Sequence, residues 1–167
     1  MNLGEQLREA RVNSEKILAE KLADLNSEFK GQVRQCLPEL MEEVKKKLII
    51  MASAGMNKID ISILSWDDGN GRFGDINFSG NQKSETYESF GILDHSSVPI
   101  PKCLKDTIRR QVSSTVGDSD SLAQASVRAR LGNCILELIS EKLEAEGVKI
   151  RKNDSLKYYP MLLTIEI

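Results

Sequence analysis

A chain of 167 residues, 40% of them hydrophobic, is long enough for one domain with a real core. Its 23 basic and 25 acidic residues leave a formal charge of -2. That balance excludes a globally polycationic binder of nucleic acid or anionic membrane, although a local basic patch stays open. Aromatics at 5% argue against a base-stacking platform and predict a core of Leu, Ile, Val, Ala and Met.

Residues 2 to 33 lack proline and read as helix. Leu3, Leu7, Ala10, Ser14 and Ile17 recur at steps of four and three, and Leu18, Leu22, Leu25, Phe29 and Val33 follow in a second register. The offset between them looks like a stutter. A stripe this narrow, flanked by Glu, Lys and Arg, suits a coiled-coil-like seam better than a wide core face. Such a helix is not stable alone in water and must be covered by its own domain, another copy or a partner. Residues 1–36 are therefore read as a long N-terminal helix and candidate oligomerisation element, and 37–167 as a single α+β domain.

Pro38 is read as the first position of a new helix, with Glu39, Glu42 and Glu43 early and Lys45 to Lys47 late, as the helix dipole prefers. Leu37, Leu40, Met41, Val44, Leu48 and Met51 form its face, Ile49 and Ile50 are expected to widen it into the core, and Gly55 is its stop. Ile59, Ile61 and Ile63 alternate with polar residues over a strand at 58–66. Asp67 to Gly71 reads as a hairpin turn, Arg72 to Phe78 as the returning strand, Ser79-Gly80-Asn81 as another turn and Glu85 to Leu93 as a third strand.

Asp94 to Pro101 reads as loop, Lys102 to about Val116 as helix, and Gly117 to Ser121 as a break. A helix from about Leu122 to Glu146 carries Leu131, Ile135, Leu138, Ile139 and Leu143 as its stripe and stops at Gly147. A final hairpin joins Val148–Lys152 to the alternating Leu163-Thr164-Ile165-Glu166-Ile167, with Pro160 delaying the last strand.

The chemical motifs are few. No G-x-x-x-x-G-K-[ST], G-x-G-x-x-G or G-x-S-x-G is present. A zinc site would need Cys36, Cys103, Cys134 and the single histidine, His95, to converge without a C-x-x-C to nucleate it, so reduced thiols are expected and no metal or cofactor is inferred. Asp67, Asp68 and Asp75 flank the first turn, but Arg72 breaks the calcium-loop pattern. His95, beside Asp94, is the one side chain that ordinarily titrates near neutrality. Cys103, in the first turn of a helix, is the thiol best placed to react. Arg109 with Arg110 and Arg128 with Arg130 are the basic pairs that could meet phosphate on one surface.

Two junctions carry a resemblance. Ala52-Ser53-Ala54-Gly55 precedes the strand at Ile59 to Ile63, and Glu146-Gly147-Val148 precedes the final hairpin. This helix–glycine–strand layout resembles small phage-encoded accessory proteins. The resemblance rests on structural punctuation and carries over no functional residue. It implies a non-enzymatic role in host takeover, such as sequestering a nucleotide signal or blocking a defence protein.

The expected fold is α+β: a long N-terminal helix and further helices packed on a small, mostly antiparallel sheet. The expected function is a non-catalytic, homo-oligomeric binding or inhibitory module. Its recognition surface is expected at the loop from Ile92 to Lys102 or the Asp67–Gly71 turn, with His95, Asp94, Arg109, Arg110, Arg128 and Arg130 as candidate ligand-binding residues. The alternatives are a nucleic-acid binder using the arginines and a small enzyme around His95. With no apolar leader and no run longer than Leu48 to Ala52, the chain is expected to be cytoplasmic, without a membrane partner.

Overall fold

A computed structural model describes residues 1–63, 75–82, 96–116, 121–153 and 160–167. In chain order the elements are α1 (Leu3–Ser53), β1 (Met56–Ile63), β2 (Ile76–Gln82), β3 (Ser96–Val98), α2 (Lys102–Val116), α3 (Ser121–Ala145), β4 (Ile150–Asn153) and β5 (Leu162–Glu166). The architecture is α+β, with one antiparallel sheet in the order β3-β2-β1-β5-β4. The turn at Asp67 to Gly71 and the strand expected at Glu85 to Leu93 lie outside the described residues.

The period-two pattern of β1 does what it predicts. Ile59, Ile61 and Ile63 are buried, as are Ile76 and Phe78 of β2 and Leu163 and Ile165 of β5, and they share one core with the helices. The α3 stripe Leu131, Ile135, Leu138, Ile139 and Leu143 is buried against them. Gly55 and Gly147 hold φ of 88° and 87°, so both helices stop where a left-handed residue is needed. After α3 the Val148 amide donates to the Leu143 carbonyl at 3.1 Å, closing the helix end.

Four expectations are corrected. Ser79-Gly80-Asn81 is strand rather than turn, because Gly80 pairs with Ile59 inside β2 and gives room to Met56. Ser96–Val98, expected as loop, adds an edge strand to β2. Ile49 and Ile50 do not enter the core: they are 65% and 52% exposed, because α1 turns Leu48 and Met51 inward. Ile49 instead lines an open apolar groove with Leu48, Ala52, Val148, Ile165 and Ile167.

The fourth concerns Pro38, which lies inside α1 and does not start a new helix. The helix runs unbroken through the expected boundary at 36/37. Proline lacks the amide that would bond to the Arg34 carbonyl, and its ring crowds that carbonyl. The helix persists because Val33, Leu37, Leu40, Met41 and Val44 are buried on both sides of the proline, and their burial outweighs one lost hydrogen bond. A hollow of about 300 Å³ beside it is lined by Arg34, Leu37, Pro38, Leu138, Glu141 and Lys142.

A prediction follows from this placement. Pro38 is exposed, so Pro38→Ala removes no core packing. In an interior position it restores a hydrogen bond and raises unfolding stability, by up to about 3 kcal/mol. Were Pro38 the first residue of a separate helix, alanine would bring no gain. Urea denaturation of the two proteins decides between the two.

Candidate functional site: the helical arm and the α1–α2 cleft

Every residue of α1 up to Lys21 is exposed, and burial begins at Leu22. At 1.5 Å per residue, 3–21 make an arm about 28 Å long that stands clear of the domain. Its helix is well built from the first turn. The Asn2 side chain accepts from the Glu5 amide at 2.9 Å while the Glu5 carboxylate accepts from the Asn2 amide at 2.8 Å, a complete capping box. Arg11 and Glu15 pair at 2.9 Å one turn apart, and this pairing raises the Arg11 pKa.

The arm carries Leu3, Leu7, Val12, Ile17 and Leu18 at 69%, 63%, 60%, 53% and 44% exposure. Leu3, Leu7, Ser14, Leu18, Leu22 and Leu25 lie on a line that repeats every eleven residues, as positions 3, 14 and 25 show. That period is near the natural turn of a straight helix. The apolar stripe therefore passes from bare to buried without leaving its face of α1. In the domain the same stripe, as Leu22, Leu25, Phe29 and Val33, joins the core. On the arm no described residue of this chain covers it.

The second feature is a cleft of about 960 Å³ between α1 and α2, lined by Gln32, Gln35 and Cys36 on one side and by Cys103, Leu104, Asp106, Thr107 and Arg110 on the other. Thr107 donates to the Cys103 carbonyl at 2.9 Å and accepts from the Arg110 guanidinium at 3.2 Å, so Arg110 is held along α2. The Cys36 thiol donates to the Val33 carbonyl at 3.3 Å. Burial raises its pKa, and the neighbouring Cys103 sulfur raises it further. Cys134, buried in α3, is pushed up to about 11 by burial, against the opposing pull of Lys30. All three cysteines are free.

Of the residues singled out from the sequence, Asp94 and His95 lie outside the described residues, as do Asp67 and Asp68. Arg109 approaches Asp106 at 4.0 Å and Arg110 bonds Thr107, both contacts within α2. Arg128 and Arg130 belong to α3, the first half-buried and the second exposed. Of the residues singled out from the sequence, Cys36, Cys103 and Arg110 share a cleft. Asp75 is committed elsewhere, to an ion pair with Lys105. Several lysines also face carboxylates: Lys30 meets Glu137 at 2.6 Å, Lys45 meets Glu146, Lys46 meets Glu43 at 2.8 Å and Lys152 meets Glu144 at 3.6 Å. The hydrogen bond that the Lys30 ammonium donates to Glu137 holds the Lys30 pKa up.

Sequence reasoning missed a polar row across the sheet face opposite the core. Register places Arg151, Thr164, Asp60 and Ser79 side by side on four strands. Thr164, only 2% exposed, donates to Asp60 at 2.7 Å and accepts from the Asn153 amide at 3.3 Å. The available signal was the polar alternation of β1 and β5, which identifies a face but not cross-strand neighbours. Among the described residues no three His, Cys, Asp or Glu side chains gather as a metal site, and no helix is long and apolar enough to cross a membrane. No protein-family model matches the chain, and no curated protein or solved structure matches it either.

Proposed function

We propose that this chain is a non-catalytic binding or inhibitory protein that assembles with copies of itself through the α1 arm. The observation that carries the reading is the bare apolar stripe of residues 3–18, collinear with the stripe that packs inside the domain. A projecting helix of this length is marginal in water unless its apolar side is covered.

Charge favours a second copy as the cover. Glu5, Glu9, Glu15 and Glu20 alternate with Arg8, Arg11, Lys16 and Lys21, so the arm's side chains are electrically balanced. A nucleic-acid or anionic-membrane partner would call for an excess of positive charge. A surface with both signs interspersed complements itself, and self-complementarity is what a two-fold interface needs. The α1–α2 cleft offers a separate place for a ligand. The non-enzymatic role implied by the resemblance to small phage-encoded accessory proteins is compatible with this reading, and sequestration or inhibition would then be its biological form.

The test is the solution mass of the full chain and of its Leu7→Glu/Leu18→Glu variant, by light scattering across a concentration series. Both side chains are well exposed, so the protomer's core is untouched. The native chain is expected above protomer mass. The variant is expected to dissociate, with its association constant reduced by about 100-fold or more. Each buried leucine contributes about 1.5–3 kcal/mol, and about 1.4 kcal/mol is tenfold. A native chain that stays monomeric at high concentration would sink the proposal.

A further inference from the structure

We propose that Cys36 and Cys103 are a redox-closable thiol pair, which a peroxide converts into a disulfide that staples the middle of α1 to the first turn of α2. This goes beyond the assembly reading and does not depend on it, because the cleft lies on the body of the protein, away from the arm.

Three observations carry it. Cys36 of α1 and Cys103 of α2 line the same cleft, and Cys103 is near enough to act electrostatically on the Cys36 thiol. Their neighbours Leu37 and Leu104 are 4% and 2% exposed, so each cysteine is tied to a backbone anchored in the same core. The third thiol is no competitor: Cys134 is 3% exposed, within α3.

The chemistry is assigned by access. Cys103 is exposed and Cys36 is half-buried, so peroxide reaches Cys103 first. The Cys103 sulfur attacks one peroxide oxygen and the O–O bond breaks. The products are a sulfenic acid on Cys103 and one water. The Cys36 sulfur, as its proton leaves, then attacks the Cys103 sulfur and displaces the hydroxyl, which takes up that proton and departs as a second water. Two thiols are oxidised to one disulfide, and one peroxide is reduced to two waters. Closing the long loop between residues 36 and 103 restricts the unfolded chain, so the oxidised protein should melt on the order of 5–10 °C higher.

The experiment treats the reduced full-length protein with hydrogen peroxide in small excess, then counts thiols and maps peptides by mass spectrometry without reduction. The expected result is a fall from three thiols to one, a peptide joining Cys36 to Cys103, and a rise in melting temperature that dithiothreitol reverses. Cys134→Ser should leave that peptide unchanged. Cys36→Ser should stop Cys103 at the sulfenic or a higher acid, with no rise in melting temperature. A Cys103–Cys103 link between chains, a link that includes Cys134, or over-oxidised Cys103 with Cys36 still free would each overturn the proposal. So would the absence of any reaction.

Discussion

Lys105→Met should cost the protein about 3–5 kcal/mol of unfolding stability, the usual loss when one member of a buried ion pair is removed. Lys105 lies on α2, and its ammonium sits 2.6 Å from Oδ1 of Asp75, just ahead of β2, with side-chain exposures of 14% and 9%. That oxygen accepts no well-aligned hydrogen bond, so proximity of charge is what compensates its burial. Methionine keeps the length and apolar contacts of the lysine stem while leaving a carboxylate buried without its counter-charge. The loss should therefore come from Asp75 and not from lost packing. Asp75→Asn combined with Lys105→Met removes both charges and should recover most of the stability. Urea denaturation of the native, single and double variants checks this. If the double variant were as unstable as Lys105→Met, packing of the lysine stem, and not the charge, would be the cause.

Gly80→Ala should destabilise the chain by about 1–3 kcal/mol, the range for forcing an extra carbon into a filled core. An added Cβ at Gly80 would lie 1.9 Å from Sδ of Met56, 3.0 Å from Cε of Met51 and 3.1 Å from Cγ of Met56. Methionine is flexible and can usually yield. Here Met56 and Met51 are 3% and 0% exposed, so neither has open space to move into. Met56→Ala vacates the same volume. The pair Gly80→Ala/Met56→Ala should be more stable than the sum of the two single effects predicts, and a thermal-denaturation cycle over the four proteins reads that coupling. Strict additivity would mean that the methionine sulfur is not what the new methyl meets.

These two sites show why part of the molecule was legible in one dimension and part was not. Helix and strand periods are local, so Leu131, Ile135 and Leu138 marked α3, and Ile59, Ile61 and Ile63 marked the inner face of β1. The glycine stops at 55 and 147 were readable for the same reason, since left-handed backbone is a property of one residue. Gly80 was misread because a strand glycine that makes room for a distant methionine looks, in sequence, like a glycine in a turn. Pro38 was misread because its local preference for a helix start is overridden by the leucines and valines buried on either side of it. Ile49 and Ile50 were misplaced because apolar character alone does not say which way a helix is turned.

The candidate site divides in the same manner. The apolar stripe of residues 3–18, its balanced charges and the need for it to be covered were all present in the spacing of Leu3, Leu7, Ile17 and Leu18. That its cover begins at Leu22, within the chain's own core, was not. The shared cleft of Cys36 and Cys103, the pairing of Asp75 with Lys105 and the row of Arg151, Thr164, Asp60 and Ser79 came only with three-dimensional packing. Periodicity records which side of an element turns away from water, whereas contacts between residues far apart in the chain depend on how the elements are laid against one another.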